Sequence, residues 1–213
     1  RGIQGNCHLQ HLTLRQSKGD GVWGKSSFTM EDVLVEQCDG NGVWAEKKGR
    51  FRVAGRCTNV EVRQCGNNGV KAYNGASITL IGPKTTVHHN CTKGYSDDYG
   101  LQVYNSSSST IQLVSPLTKE QVSLDNGGGG NWGAGGGGDI NQIKTISSAE
   151  LEEATAARSR AIAASPTPVD ISVSENVASR SSEPKASEAW FKPKLTVLLT
   201  PPNKAFAPHL ELS

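Results

Sequence analysis

Apolar residues in this chain come in runs of three to five positions, alternating with polar ones and broken by Gly, Asn, Asp or Ser. Period-two alternation marks a half-buried strand, whereas an amphipathic helix needs spacings of three and four over a longer window. Up to about residue 126 the runs recur in a fixed order. A Gly-apolar pair stands at Gly2-Ile3, Gly21-Val22, Gly42-Val43, Gly69-Val70 and Gly100-Leu101, with Asp20, Asn41, Asn68 or Tyr99 before the last four, which reads as a turn entering a strand. A second run follows: Leu12-Thr13-Leu14, Val33-Leu34-Val35-Glu36-Gln37-Cys38, Val60-Glu61-Val62-Arg63-Gln64-Cys65, Val87-His88-His89-Asn90-Cys91 and a looser Val122-Ser123-Leu124-Asp125. The third is an apolar pair, Phe51/Val53, Ile78/Leu80 and Ile111/Leu113.

Val33 to Val60 and Val60 to Val87 are both 27 residues, so these three valines are expected to lie over one another. The first interval (Leu12 to Val33, 21) and the last (Val87 to Val122, 35) differ, which places the length changes in turns. Repeats of this length with short strands predict a parallel β-helix, because helical repeats need longer segments and propeller blades run to ~40–45 residues. Each strand would then pair with its counterpart one coil away, ~4.8 Å along the axis.

The Gly-x-Gly-Val turns, the Val-x-Val-x-x-Cys/Asn strands and the segment Ala76-Ser77-Ile78-Thr79-Leu80 resemble right-handed parallel β-helix proteins of the pectate-lyase-like superfold, over about residues 1–126. The resemblance implies an all-β fold, a right-handed parallel β-helix of about five coils, and leaves the chemistry open, since that superfold hosts lyases, hydrolases, epimerases, adhesins and non-catalytic repeats. Because the chain opens inside a repeat, it is expected to be a fragment or processed product with coils before Arg1.

Residues 127–138 are nearly all Gly, broken by Asn131, Trp132 and Ala134, and read as a mobile loop or a strand-free last coil within a 127–146 linker, with Trp132 as a pin. Ser147 as N-cap, Glu150 as its capping-box partner and an Ile146–Leu151 staple predict a capping or docking helix in the 147–164 segment, running from about 148. Its apolar stripe, Leu151, Ala154 and Ile162, is thin; Pro166 and Pro168 end it. Residues 165–213 read as an extended Pro/Ser-rich tail, with Val169–Val173 able to add one short strand. Its apolar residues Trp190, Phe191, Leu195, Val197 and Leu199 predict docking onto a partner or a larger assembly.

Composition sharpens this picture. Of 213 residues, 35% are hydrophobic and 24 are glycine, which favours short strands and turns over a helical bundle. A formal charge of +2 provides no strong field for nucleic acid or an anionic membrane, and no run approaches the ~18–20 apolar residues of a membrane span. Arg1-Gly2-Ile3 carries neither an initiator Met nor a signal-peptide core, so the compartment is not legible. Sequons at Asn90 and Asn105 fall in predicted turns.

Three cysteines, Cys38, Cys65 and Cys91, end the second run in successive repeats, and Cys57 stands before Val60; a ladder of buried, reduced thiols is expected. The odd total of five, counting Cys7, leaves one thiol unpaired under any disulfide scheme in a single chain. His88, His89, Asp97 and Asp98 are the candidates for catalysis; adjacent strand histidines should point to opposite faces, which argues against a shared site, and no metal site is assigned. The resembled hydrolases pair Asp-Asp with Asn-Thr-Asp, Gly-His-Gly and Arg-Ile-Lys, none of which occurs here, and epimerase-like relatives follow Tyr-Gly with Asp and His where this chain has Leu101-Gln102.

Trp23 and Trp44 each follow a repeat valine and Tyr73 stands three residues beyond Val70, positions that on consecutive coils would form a stacking platform for sugar rings. The leading expectation is therefore a non-catalytic module presenting a surface to carbohydrate or a protein, with no cofactor. The alternative is a polysaccharide lyase, hydrolase or epimerase acting on acidic sugars, using Asp97 and Asp98 with Ca²⁺ as an option.

Overall fold

The computed structural model describes residues 7–50 and 52–163. In chain order the strands are β1 (Cys7–Arg15), β2 (Val22–Gly24), β3 (Phe28–Glu36), β4 (Val43–Glu46), β5 (Ala54–Thr58), β6 (Glu61–Arg63), β7 (Val70–Tyr73), β8 (Ser77–Ile81), β9 (Thr86–His88), β10 (Leu101–Tyr104), β11 (Thr110–Val114), β12 (Ser123–Leu124), β13 (Trp132–Gly135) and β14 (Ile143–Ile146). Two α-helices accompany them, the one-turn α1 (Lys119–Val122) and α2 (Ser148–Ala163), with a 3₁₀ turn at Ile140–Gln142. The fold is all-β, built of parallel sheets with few helices. Among the described residues no helix is long and apolar enough to cross a membrane.

One sheet runs β13-β10-β7-β4-β2, and the other runs β12-β9-β6-β3-β5-β8-β11-β14 with β1 also on β3. The second sheet bends because its first three repeats each turn a corner at one left-handed residue and the fourth turns at Gly82 (φ 87°). His11 (φ 50°) and Asp32 (φ 48°) bend β1 and β3 without ending them, whereas Asn59 (φ 52°) separates β5 from β6. A second left-handed column, Gln16, Gln37, Gln64, His89 and Asp125, closes the next corner.

Inward side chains stack by type. Val22, Val43, Val70, Leu101 and Trp132 form one column, and Leu14, Val35, Val62, Val87 and Ser123 face it from the other sheet. The Gly-apolar signature has its cause here. Gly21, Gly42 and Gly69 have ordinary backbone angles, but a Cβ on each would overlap Cγ1 of Val35, Val62 and Val87 respectively. The glycines serve the narrow core rather than a turn.

The expected stack of Val33, Val60 and Val87 holds only for its first two members, because Val87 pairs with Val62. The turn after β7 (74–76) is four residues shorter than that after β4 (47–53), and the corner after β8 (82–85) is two longer than 59–60, so the offset becomes 25. For the same reason Ile78 and Leu80 lie over Gly55 and Cys57, not over Phe51 and Val53. Phe28 fills the space above Gly55, whose Cβ would come 2.5 Å from Phe28 Cζ. The fifth copy is displaced by one: Ser123, not Val122, covers Val87.

The Gly-rich segment is not strand-free. β13 pairs with β10 from Leu101–Trp132 to Tyr104–Gly135, and β14 pairs with β11. Glycine is used there because Tyr99 and Tyr104 lie against Gly133 and Gly135, leaving no room for side chains. At α2 the Glu150 N–H donates to Ser147 Oγ (3.1 Å) and the Ser147 N–H to Glu150 Oε2 (2.7 Å), completing the capping box. Phe51 and the tail residues Trp190, Phe191, Leu195, Val197 and Leu199 lie outside the described residues.

Candidate functional site

Alternation along the five-stranded sheet turns two columns outward. Trp23, Trp44, Lys71, Gln102 and Gly133 share one register, and Glu46, Tyr73, Tyr104 and Gly135 share the next. Trp23 stacks on Trp44 (centroids 5.0 Å, planes 11° apart), Trp44 meets Tyr73 edge-on (5.8 Å, 83°), and Tyr73 stacks on Tyr104 (5.8 Å, 10°). The strand spacing of ~4.8 Å is close to the separation offset rings prefer, so one aromatic per repeat is enough to build a continuous row.

Tyr104 was missing from the sequence reading, although it follows Leu101 by three positions just as Tyr73 follows Val70. Beyond it the row ends on glycine: a Cβ on Gly135 would lie 2.7 Å from Tyr104 Cε2. The rings are half-buried. Each stacked ring gives a face to its partner, and Lys25 Nζ sits 3.7 Å over Trp23 while Lys71 Nζ sits 4.6 Å over Tyr104. The row therefore presents ring edges and polar tips more than open faces. Trp23 Nε1 donates to Glu46 Oε2 at 3.0 Å, and Trp44 Nε1 has no hydrogen-bond partner among the described residues.

A polar ladder runs along the turns that enter the five-stranded sheet. Asn41 Nδ2 donates to Asp20 Oδ1 (2.8 Å), and Asn68 Nδ2 donates to Asn41 Oδ1 (3.0 Å) and Asp98 Oδ1 (2.7 Å). This divides the Asp97-Asp98 pair. Asp98 is buried, and burial pushes its carboxyl up against the opposing charge of Lys71, whereas Asp97 is exposed. Lys71 is in turn lowered by burial, with Asp98 and Asp97 working the other way.

The histidines are not split between core and solvent. His89 occupies the left-handed corner (φ 54°), which breaks strand alternation, so both rings are on the outside and His88 Nδ1 lies 2.7 Å from His89 Nδ1. His88 Nε2 is 3.2 Å from Glu61 Oε1, Arg63 Nη1 donates to Glu61 Oε1 (2.9 Å), and Arg63 and Arg15 both donate to the buried Glu36. The catalytic candidates thus enter two separate networks, Asp98 with Asn68 and His88 with Glu61. Among the described residues no three His, Cys, Asp or Glu side chains converge on one point.

Cys38 and Cys65 stack in successive repeats, but the shortened offset puts Asn90 in the next place and Cys91 outside the ladder. Cys65 N–H donates to Asn90 Oδ1 (3.1 Å), and Asn90 N–H to Asn126 Oδ1 (3.0 Å). An asparagine ladder continues the thiol ladder. Asn90 is 1% exposed, so its sequon is closed in the fold, whereas Asn105 is exposed. The five cysteines are free, and burial pushes Cys57 up to about 12.

A groove of about 440 Å³ between α2 and β5 is lined by Phe28, Arg56, Leu151 and Thr155, with no acid–base pair in it. Compared with protein-family models, curated proteins and solved structures, the chain finds no match.

Proposed function

We propose that the repeats wind into a right-handed parallel β-helix of the kind they resemble, and that the module is non-catalytic, binding a carbohydrate polymer along the aromatic row of its five-stranded sheet. The winding is supported by strand order: the chain alternates between the two sheets, and each strand pairs in parallel with one a repeat away. The observation that carries the binding reading is the unbroken contact of Trp23, Trp44, Tyr73 and Tyr104 on four successive strands of one outer face. Three spacings of ~4.8 Å give the row a length of about 14 Å, suited to several sugar units in line. Ring edges supply apolar contact for sugar C–H groups, and the tyrosine hydroxyls supply hydrogen bonds. In this reading Trp190, Phe191, Leu195, Val197 and Leu199 dock the module onto a partner.

Affinity electrophoresis of the full chain in gels cast with neutral and acidic polysaccharides tests the reading, with Trp44→Ala and Tyr104→Ala alongside and thermal unfolding as the check on folding. Retardation by at least one polymer, weakened about five- to tenfold per folded variant, is expected. No retardation by any polymer, unchanged binding in folded variants, or release of cleavage products would each overturn it.

A further inference from the structure

We propose that His88 and His89 form a binding site for a late first-row divalent metal ion of the copper(II) class. Two imidazole Nδ1 atoms converge to 2.7 Å on the protein surface, with ring planes 83° apart. Metal–imidazole bonds of ~2.0–2.1 Å put two nitrogens ~2.9 Å apart at a right angle but ~3.3 Å apart at the tetrahedral angle. The observed separation is nearer the first, the geometry of tetragonal copper(II) or nickel(II), and imidazole nitrogen suits both ions.

The neighbours of His88 prepare it as a ligand. Its Nε2 is 3.2 Å from Glu61 Oε1, and a carboxylate there holds the proton on Nε2, leaving the Nδ1 lone pair directed at His89. Arg63 Nη1 fixes that carboxylate from the other side at 2.9 Å. A carboxylate behind one imidazole nitrogen and an unprotonated nitrogen in front is the arrangement that orients metal-bound histidines. The backbone contributes as well: the left-handed φ of His89 brings onto one face two side chains that a straight strand would separate.

Binding requires no oxidant and no net proton release. In the free protein one histidine donates its Nδ1 proton to the other. When the ion enters, the His89 proton moves from Nδ1 to Nε2, and both rings rotate so that their Nδ1 lone pairs swing about 45° off the line joining the two nitrogens and meet on the metal. Among the described residues no third side chain converges there, so water completes the coordination. The site is therefore open and exchangeable rather than a closed structural centre.

The test is isothermal titration of the full-length chain with copper(II), together with electron paramagnetic resonance of the one-to-one complex. The expected result is one site with two nitrogen ligands in the hyperfine pattern. Its affinity should fall at least tenfold in His88→Ala or His89→Ala and about tenfold in Glu61→Gln, which acts through His88. A variant lacking His8 and His11 should retain the site. The proposal is overturned if the His88 or His89 variants bind copper(II) as the wild type does, if the loss appears instead on removing His8 and His11, or if the signal shows fewer than two nitrogens. Thermal unfolding of each variant keeps a folding defect from passing as lost affinity.

Discussion

Gly42 lies directly beneath Val62, so that a Cβ on the glycine would overlap Val62 Cγ1 and stand 2.7 Å from Gly69 O. Gly42→Ala should therefore destabilise the protein by about 1–3 kcal/mol, the cost of overpacking a filled core. Gly19 has no atom within 4 Å of its virtual Cβ and no left-handed backbone, so Gly19→Ala should change stability by under about 0.5 kcal/mol. Urea unfolding midpoints compare the two. Adding Val62→Ala to Gly42→Ala should recover only part of the loss, since the clash with the Gly69 carbonyl remains. Equal midpoints for the two glycine variants would refute the packing explanation of the repeat signature.

What was legible in the sequence followed from spacing. The 27-residue interval superposes Val33 and Val60 because the register of β3 on β5 and β6 holds one offset of 27 from Phe28–Gly55 to Glu36–Arg63. Val87 was misplaced because a loss of four residues and a gain of two act on different turns, and counting between apolar runs cannot see either. Gly55 and the strand at Trp132–Gly135 were missed for a common reason: glycine reads locally as a break, while here it makes room for Phe28, Tyr99 and Tyr104 from neighbouring repeats. Trp23, Trp44 and Tyr73 are visible as a set because each stands an odd number of residues after its repeat valine, one for the tryptophans and three for Tyr73, which puts all three on the outer face. The pairing of His88 with His89 was hidden by a corner residue whose backbone angle leaves no mark in composition.

Glu36 links two arginines and gives stability a pH dependence. Burial by itself would push its carboxyl up, but hydrogen bonds from Arg63 and Arg15, with their charges, hold it below its ordinary value of 4.5. A depressed carboxylate contributes stability that is present above its unfolded value and lost as pH falls through its folded value. Glu36→Gln should cost about 1–3 kcal/mol at neutral pH, less than a fully buried pair, because Arg15 and Arg63 side chains remain 62% and 36% exposed. The gap between wild type and variant should narrow in urea titrations only as pH falls below the ordinary carboxyl value of 4.5. A gap that stays constant with pH would show that the loss comes from packing alone.

Asn90 carries the ladder across the change of register. Its Oδ1 accepts from Cys65 N–H at 3.1 Å, and its Nδ2 donates to Val62 O at 3.0 Å and Asn126 Oδ1 at 3.0 Å. Asn90→Ala strands a buried N–H and a buried carbonyl and should cost about 2–4 kcal/mol. Asn90→Asp keeps the acceptor and should lose less at a pH where it is protonated, since the acid can then donate as well. Hydrogen exchange at the Cys65 amide offers a local readout: it should accelerate in Asn90→Ala, and protection equal to wild type would mean another group caps that amide.

The stacked thiols should behave as a pair rather than as two separate cysteines. Cys38 Sγ donates to Glu36 O (3.6 Å) and Cys65 Sγ to Arg63 O (3.5 Å), and the contact between the two thiols lowers Cys38 against burial and the nearby Asp20 and Asp39 charges while it raises Cys65. Both thiols are buried, so the pH at which Cys38 ionises in the folded protein, rather than its access to a reagent, reports this contact. Cys65→Ala removes that contact, and the ionisation midpoint of Cys38, followed by its isotope-labelled Cβ resonance, should move upward toward the ~8.5 of an ordinary cysteine. Cys65→Ser, which retains a hydroxyl donor, should move it less. If all three proteins show the same midpoint, Cys38 is not activated by its neighbour and the ladder is only a packing device.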